Sequence, residues 1–243
     1  LETGTKHQAA KLMCTVPSQV ADGFLTRRSD LSPIEVKGSA DTPVSLALAA
    51  TAAALFPYVD GQNQEIGLVA STRDHPDSKE LFGYLLNTLP LRLECSAQTQ
   101  LSSLTEQAAL AVGAALAHRA YPLGNIFADR KKAGLAAQPL SVLMASDAAI
   151  PTEIEGHAVS QRVAFTGHAV TALSFFFEVR DDRVDIGVEY SGKTIGKSTA
   201  EAILLRVEDA FCRAIRAPAD RVNSLPQTQA NASLLIGRDL TDE

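Results

Sequence analysis

Several residue types are scarce in this sequence of 243 residues, and each shortage argues against a class of protein. The three cysteines, Cys14, Cys95 and Cys212, are far apart and form no CxxC pair, which argues against a zinc site and a disulfide framework. Basic residues number 22 against 28 acidic ones, a net charge of −6, so the chain lacks the basic excess typical of nucleic-acid binding. We therefore expect reduced cysteines, a cytoplasmic location and no nucleic-acid partner.

Long apolar runs are also missing. The longest, Leu46–Phe56, is broken only by Thr51 and is too short for a membrane span, which needs about 20 apolar residues. The first residues, Leu1–Gln8, contain neither the apolar core of a signal peptide nor an initiator methionine, which predicts a fragment without membrane association. With 46% hydrophobic and 21% charged residues, the chain is expected to form a globular domain.

Three helices are predicted from their start signals. Thr42 followed by Pro43 is typical of an N-cap and a first helical turn. The run Val44–Phe56 that follows is apolar on every side, as in a helix buried within a core. Two capping boxes, Ser103-x-x-Glu106 and Ser198-x-x-Glu201, predict the starts of two more helices.

Strands are predicted where apolar residues alternate with other residues. The clearest pattern, Leu173–Val179 and Val184–Tyr190, predicts an antiparallel hairpin with one face on a core. The remaining predictions are strands at 11–16, 65–72, 85–95 and 140–144, a helix at 17–25 and a turn at 121–127. Interleaved strands and helices predict an α/β (α+β) fold, a mixed β-sheet with helices packed against it. We expect one domain over residues 1–222 and a linker or tail over residues 223–243.

Motifs of familiar catalytic sites are absent from the sequence. It contains no phosphate-binding glycine loop, no HExxH and no GxSxG. Five histidines are scattered along the chain without a partner at metal-ligand spacing: His7, His75, His118, His157 and His168. The residues alone therefore predict no metal site and no catalytic residue.

Residues 81–92, Leu-Phe-Gly-Tyr-Leu-Leu-Asn-Thr-Leu-Pro-Leu-Arg, resemble the Gly-x-Phe-Val-Asn-Thr-x-x-x-Arg motif of nonribosomal peptide synthetase condensation domains. Residues 59–67 followed by Arg73 are similar to the stretch that precedes this motif in the family. Residues 118–123 resemble a degraded His-Gln-Asp-x-Pro-Phe-Glu motif, and Glu189-Tyr190 is similar to the end of the family's closing strand. These similarities occur in the family's order and cover residues 11–225.

The resemblance implies a chloramphenicol-acetyltransferase-like lobe, the C-terminal lobe of a condensation domain whose N-terminal lobe is absent from this chain. Such domains form peptide bonds between acyl and aminoacyl thioesters in secondary metabolism, including antibiotic biosynthesis. The implied partners are the N-terminal condensation lobe and donor and acceptor peptidyl carrier proteins, which supply the phosphopantetheine, so no cofactor or metal binds directly. The family's catalytic His-His-x-x-x-Asp-Gly motif belongs to the N-terminal lobe and is absent here, so the chain alone is expected to be inactive.

Candidate site residues follow from the motifs. Those implied to line the tunnel or the lobe interface are Arg73, Gly83, Asn87, Thr88, Arg92, His118 and Pro122. Asn87 either hydrogen-bonds an amide-bearing substrate arm or pins a strand end to a loop, and the arginines either brace the lobe interface or form ordinary surface ion pairs. The basic run Arg130, Lys131 and Lys132 is a candidate docking surface for an acidic carrier protein, with a solvated helix face as the alternative.

Two other functions fit the same residues. The lobe can belong to an epimerisation or ester-forming relative, which shares the fold, or the chain can be a binding module that docks carrier proteins without catalysis. Ala120 and Gly124, which replace the family's Asp and Glu, slightly favour the binding module. Residues 147–160 are predicted to cross to the other lobe. When that lobe is absent, apolar surface there is predicted to be exposed or paired with a second copy of the chain.

Overall fold

The computed structural model describes residues 11–12, 21–73, 76–78, 81–135, 140, 142–146, 153–158 and 165–226. The strands are β1 (Lys11–Leu12), β2 (Gly23–Arg28), β3 (Val59–Asp60), β4 (Asn63–Ser71), β5 (Leu86–Glu94), β6 (Val142–Ser146), β7 (Glu153–Ile154), β8 (His157–Ala158), β9 (Leu173–Val179) and β10 (Val184–Tyr190). The helices are α1 (Pro33–Lys37), α2 (Pro43–Leu55), α3 (Leu101–Leu116), α4 (Leu123–Lys132) and α5 (Lys197–Arg216). Short 3₁₀ turns occupy Phe56–Tyr58, Pro76–Ser78 and Val222–Ser224.

Six strands form one mixed sheet in the order β2-β10-β9-β6-β4-β5. β6 runs parallel to both β4 and β9, and the other neighbours are antiparallel. Helices α2, α3 and α5 pack against one another and against the sheet, and the buried apolar side chains between them form the core. The predicted mixed sheet with packed helices is confirmed.

The hairpin of β9 and β10 has the bounds that the alternation predicts. Its inward residues, among them Phe175, Phe177 and Ile186, are buried. The ring of Phe177 lies 5.5 Å from that of Phe211 in α5. Because alternate residues of a strand point to opposite faces, apolar residues at every second position pack this hairpin against the helices.

Helix α2 also begins where the sequence predicts it. Thr42 Oγ1 accepts a hydrogen bond from the backbone N–H of Ser45 at 3.2 Å, as an N-cap does. All residues of Ser45–Leu55 are buried. The hydroxyl of Thr51, the polar break in this run, donates to the Ala47 carbonyl at 2.8 Å and is thereby satisfied inside the core.

Both capping-box predictions are wrong. Helices α3 and α5 begin before Ser103 and Ser198, which therefore lie within the first turns instead of capping them. The first two N–H groups of α3 donate instead to backbone carbonyls within residues 218–220, at 2.9 and 2.8 Å. A distant segment of the chain thus supplies the acceptors for N–H groups at the start of α3, where a serine side chain was expected to supply them. A capping box does form in α1, between Ser32 and Glu35.

The predicted helix at 17–25 and the predicted turn at 121–127 are also wrong. Residues 23–28 form the edge strand β2 because they pair with β10, and the ring of Phe24 covers Gly187, where an added Cβ would lie 3.0 Å from the ring. Residues 17–20 lie outside the described residues. After Tyr121, Pro122 is the N-cap of α4, so the proline precedes a new helix instead of leading into a turn.

Two predictions concern segments that are described only in part. Within 147–160, residues 153–158 form a hairpin of β7 and β8 that is separate from the six-stranded sheet. Its crossing to another lobe stays a prediction. Val222 and Leu225 are buried in the core, so packed structure continues past the predicted boundary at 222, and residues 227–243 lie outside the described residues. Within the described ranges, no helix is both long enough and apolar enough to span a membrane.

Arg216, the last residue of α5, contacts two carboxylates. Its Nε donates to Glu35 Oε1 and its Nη1 donates to Asp30 Oδ2, each at 2.9 Å. The hydrogen bond from Arg216 lowers the pKa of Glu35 to about 2, and hydrogen bonds from Cys212 and Arg216 lower the pKa of Asp30. Carboxylates with a lowered pKa stabilise the fold above their unfolded pKa of about 4, and this stabilisation is lost as the pH falls through the folded pKa.

We expect Arg216→Gln to lower the melting temperature near neutral pH and to have a smaller effect toward pH 2, because the Glu35 carboxyl, with its pKa of about 2, is becoming protonated there in the wild type as well. Thermal unfolding of both proteins in steps between pH 7 and pH 2 measures this difference. The control is Arg28→Gln, because Arg28 lies 4.0 Å from Asp185 with 68% of its side chain exposed and should contribute little at any pH. A melting-temperature difference for Arg216→Gln that stays constant across this range would contradict the prediction.

Candidate functional site

The candidate residues of the central motif lie at one end of the outer strand pair, β4 and β5. The chain leaves β4 at Ser71 and returns as β5, so that Leu86 pairs with Ser71. The turn between α3 and α4, residues 117–122, is hydrogen-bonded to the start of β5. The structure thereby brings together six predicted site residues: Arg73, Gly83, Asn87, Thr88, His118 and Pro122.

Asn87 uses both ends of its side-chain amide within the fold. Its Nδ2 donates to the carbonyls of Arg119 and Tyr121, at 2.9 and 2.8 Å. Its Oδ1 accepts from the N–H groups of Thr88 and Leu123, at 2.9 and 3.3 Å. An amide side chain has two donor hydrogens and one oxygen with two lone pairs, so these four bonds use its capacity. This geometry favours the role of a pin between a strand end and a loop.

The guanidinium of Arg73 organises the loop that precedes β5. Its Nη1 donates to the carbonyls of Ser78 and Leu81, at 2.7 and 2.5 Å, and its Nη2 donates to the carbonyl of Gly83 at 3.0 Å. Gly83 has a φ of +150°, a conformation that favours glycine. The two motif residues therefore act together to fix the shape of this loop.

A carboxylate that the sequence did not single out connects Arg92 to α4. Glu65 in β4 pairs directly with Arg92 in β5, and its Oε2 lies 3.5 Å from Nη2 of Arg92. Its Oε1 lies 2.8 Å from Nη1 of Arg130 in α4, and the Glu65 side chain is only 9% exposed. The two guanidinium groups offset the cost of burying this charge. Because strand register is not visible in the sequence, spacing alone did not reveal Glu65.

Arg130 therefore faces the sheet. The other two residues of the predicted docking run, Lys131 and Lys132, are the last two residues of α4. Lys132 Nζ lies 3.4 Å from Asp129 Oδ1, and its side chain is 79% exposed. Lys131 is exposed as well. If a carrier protein docks here, Lys131 and Lys132 present the charge, while Arg130 holds the helix against β4. Docking itself stays a prediction.

The remaining motif residues have local roles. Thr88 packs beside Gly67, where an added Cβ would lie 2.8 Å from Thr88 Cγ2, so a larger residue at position 67 would force neighbouring side chains to shift. The carbonyl of Pro122 accepts the N–H of Asn125 at 3.0 Å in the first turn of α4. His118 is exposed just beyond the end of α3.

Apolar side chains are exposed next to these polar contacts. Leu81, Phe82, Tyr84 and Leu86 are 56, 108, 83 and 43% exposed, and Tyr121 in the neighbouring turn is 46% exposed. Clustered exposed apolar groups mark interaction surfaces more often than isolated ones do. The structure shows this cluster at residues 81–86. The exposed apolar surface predicted at residues 147–160 stays a prediction, because most of that stretch lies outside the described residues.

The described residues contain no group of three or more His, Cys, Asp or Glu side chains that could hold a metal ion. Cys95 is buried and Cys212 is half-buried. Burial raises the pKa of each thiol to about 12, so both are protonated at neutral pH and unsuited to nucleophilic attack. Cys14 lies outside the described residues.

The polar side chains of this region make their hydrogen bonds within the fold. Asn87, Arg73 and Glu65 direct their polar atoms to backbone groups or to arginines of the same chain. What this region presents to a partner is the exposed apolar loop together with the exposed imidazole of His118. Exposed apolar groups beside fixed polar contacts are features of a binding surface.

Sequence comparison matches most of the chain to one family. The sequence profile of the condensation domain matches residues 39–235. The AMB antimetabolite synthetase AmbE of Pseudomonas aeruginosa is 29% identical to this chain over 197 residues, which are 81% of this chain and 9% of that protein. The chain thus spans a small part of this curated relative.

Solved structures show the same fold. The first condensation domain of the calcium-dependent antibiotic synthetase, in complex with a substrate analogue, has a TM-score of 0.72 at 14% identity, over 91% of this chain and 50% of that chain. The X-domain in complex with OxyB from teicoplanin biosynthesis has a TM-score of 0.68 at 18% identity, over 94% of this chain and 53% of that chain. In both cases the chain corresponds to about half of the solved chain.

Proposed function

The chain belongs to the condensation-domain family, and from this membership we propose that it is the C-terminal lobe of a domain that forms peptide bonds in nonribosomal peptide biosynthesis. The observation that carries the proposal is the coverage, because 91% of the chain corresponds to 50% of a condensation-domain chain. The other half of such a domain, the N-terminal lobe, would be the first partner of this one.

In the proposed reaction, the amine of an aminoacyl thioester on an acceptor carrier protein attacks the carbonyl of an acyl thioester on a donor carrier protein. A C–N bond forms, the C–S bond breaks, and the amine proton is transferred to the departing thiolate. A histidine of the N-terminal lobe would hold that proton in transit. The phosphopantetheine would arrive on the carrier proteins and would not be a resident group of this chain.

This chain would contribute a rigid wall that positions the two tethered reactants. Arg73 fixes the loop before β5, Asn87 fixes the turn between α3 and α4, and Glu65 fixes α4 against the sheet. Holding two reactants in a productive geometry raises their effective concentration, which lowers the barrier without any group of this lobe reacting. Supporting contacts of this kind are needed to hold the groups of a site within a fraction of an ångström of their productive positions.

A second candidate function is a module that docks partner proteins without catalysis. It is favoured by the similarity to the X-domain, which was solved in complex with another protein, OxyB. An epimerisation or ester-forming relative would share the lobe described here. For each of these functions we propose a cytoplasmic location and contact with carrier proteins through Lys131 and Lys132.

We expect the chain alone to form no dipeptide above the uncatalysed rate, because the sequence contains no adjacent histidine pair. The assay combines donor and acceptor carrier proteins loaded with aminoacyl groups with this chain, with a separately expressed N-terminal lobe, and with both lobes together. Dipeptide formed only by the two lobes together supports the proposal, and dipeptide formed by this chain alone contradicts it. If no combination forms product while the carriers still bind, the docking module is the better account.

A further inference from the structure

A cavity of about 490 Å³, called the α3 cavity below, lies at the end of β5 beside the first two turns of α3. Its size is within the range of ligand-binding pockets. Glu94, in its lining, is eight positions after Leu86 along β5, which is about 27 Å in an extended strand. The α3 cavity is therefore well separated from the motif residues at the start of that strand.

The lining of the α3 cavity contains one carboxylate and one guanidinium, those of Glu94 and Arg221. Neither group forms a salt bridge with any other residue that the structure describes. Arg221 Nη1 donates only to neutral acceptors, the carbonyl and the Oε1 of Gln98, at 2.8 and 3.3 Å. Two opposite charges that line one cavity without contacting each other fit a ligand that carries both charges itself.

Four glutamine side chains surround these two charges: Gln62, Gln98, Gln100 and Gln107. Oε1 of Gln107 accepts the backbone N–H of Glu94 at 3.1 Å, which orients this amide. Within the described ranges, no group accepts a hydrogen bond from its Nε2, so both hydrogens are available to a ligand. Side-chain amides both donate and accept, as peptide groups do, so this lining can pair with the main chain of a peptide.

Helix α3 gives the distance between the two charged ends of the cavity. Glu94 is hydrogen-bonded to Gln107, and Arg221 pairs with Gln100 in an antiparallel bridge. Gln100 and Gln107 are seven positions apart, which is about 10 Å along a helix. An extended chain covers about 3.3–3.6 Å per residue, so a tripeptide spans about the same distance.

A second cavity, of about 530 Å³ beside α5, lacks this combination. Each of its three carboxylates already pairs with an arginine of the same lining, in the ion pairs Arg27–Glu208, Arg213–Asp209 and Arg216–Asp30. A charged ligand would have to break one of these pairs. The α3 cavity is the better candidate for a ligand with charged ends.

We propose that the α3 cavity binds a short zwitterionic peptide of about three residues, with its ammonium group at Glu94, its carboxylate at Arg221 and its peptide groups on the glutamine amides. An inorganic anion fits less well, because Glu94 repels it. A single amino acid is too short to contact both charges. The inference does not rest on the proposed function, and its test needs neither a carrier protein nor a second lobe.

Calorimetry with this chain and trialanine measures the binding. N-acetyl-trialanine lacks the ammonium group and trialanine amide lacks the carboxylate, and each is expected to bind about fivefold more weakly than trialanine, because one charge-assisted contact is lost. Free alanine should also bind at least about fivefold more weakly, since it cannot contact both charges at once.

Variants assign each end of the peptide to its residue. Glu94→Gln should bind trialanine and N-acetyl-trialanine equally, because its amide no longer favours an ammonium group. Arg221→Gln should likewise bind trialanine and trialanine amide equally, whereas Arg221→Lys should keep the preference for the carboxylate. The matched control is Glu106→Gln, since Glu106 is an exposed carboxylate of α3 outside the cavity lining, and it should bind every peptide like the wild type.

Several results would overturn the inference. They are no binding of trialanine at millimolar concentration, equal binding of trialanine and its two capped forms, and equal binding of trialanine and alanine. An equal effect of Glu106→Gln and Glu94→Gln would show only a long-range influence of net charge. Sulfate that displaces trialanine, and binds more tightly to Glu94→Gln than to the wild type, would identify an anion site instead.

Discussion

Replacement of Arg206 by methionine is expected to lower the free energy of unfolding by about 3 kcal/mol or more. Arg206 in α5 is only 3% exposed, and burial lowers its pKa. Its guanidinium donates to four backbone carbonyls, those of Ala54, Val222, Leu225 and Pro226. Methionine keeps most of the volume but donates nothing, and each buried carbonyl without a donor costs about 1–3 kcal/mol.

Urea unfolding followed by far-UV circular dichroism measures this loss, since the chain contains no tryptophan. The matched control is Arg213→Met in the same helix, where the side chain is 34% exposed and pairs with Asp209 and Asp220. That control should cost less than about 1 kcal/mol. Arg206→Lys should be intermediate, because an ammonium group cannot reach carbonyls on several sides at once. A methionine variant within about 1 kcal/mol of the wild type would refute the prediction.

The second large effect is expected for Asn87→Ala, with a loss of about 2 kcal/mol. The change removes four hydrogen bonds that join β5 to the turn between α3 and α4. A hydrogen bond typically contributes about 1 kcal/mol, and less when water can replace it, as at this half-buried position. The same unfolding experiment measures the loss, with Asn125→Ala as the control, because Asn125 is an exposed residue of α4.

The same variant separates a structural role from a substrate contact. In a domain reconstituted from both lobes, we expect the rate of dipeptide formation by Asn87→Ala to fall in proportion to the folded fraction. A rate that falls while the melting temperature stays at the wild-type value would instead assign Asn87 to the substrate.

The sequence predicts those parts of the fold whose signals lie within one element. The alternation in Leu173–Tyr190 defines both strands of the hairpin, and Thr42 marks the start of α2. Prediction fails where a distant segment supplies the hydrogen bonds. The first turn of α3 is capped by carbonyls within residues 218–220, and residues 23–28 become a strand because they pair with β10. Local propensity cannot report such contacts.

In the candidate site, too, the sequence identified some residues but not the contacts that they make. The resemblance identified Asn87 and Arg73, but their bonding partners are backbone atoms, whose positions depend on the folded loop and turn. Glu65 was missed because its importance comes from its place opposite Arg92, and that register appears only in the paired strands. Sequence patterns therefore located the region, and the structure determined what each side chain there does.

Few backbone N–H groups of the edge strand β5 are available on the side away from β4. This scarcity lowers the risk that newly made chains aggregate. An open sheet edge can template a second chain, and repeated addition leads to fibrils with cross-β stacking. Along β5 the ring of Pro90 and the amide of Asn87 remove outward-facing N–H groups, and the opposite edge, β2, ends in the charged pair Arg27 and Arg28. Both edge strands of the sheet therefore resist the addition of a strand from a second chain, which is the step that nucleates a fibril.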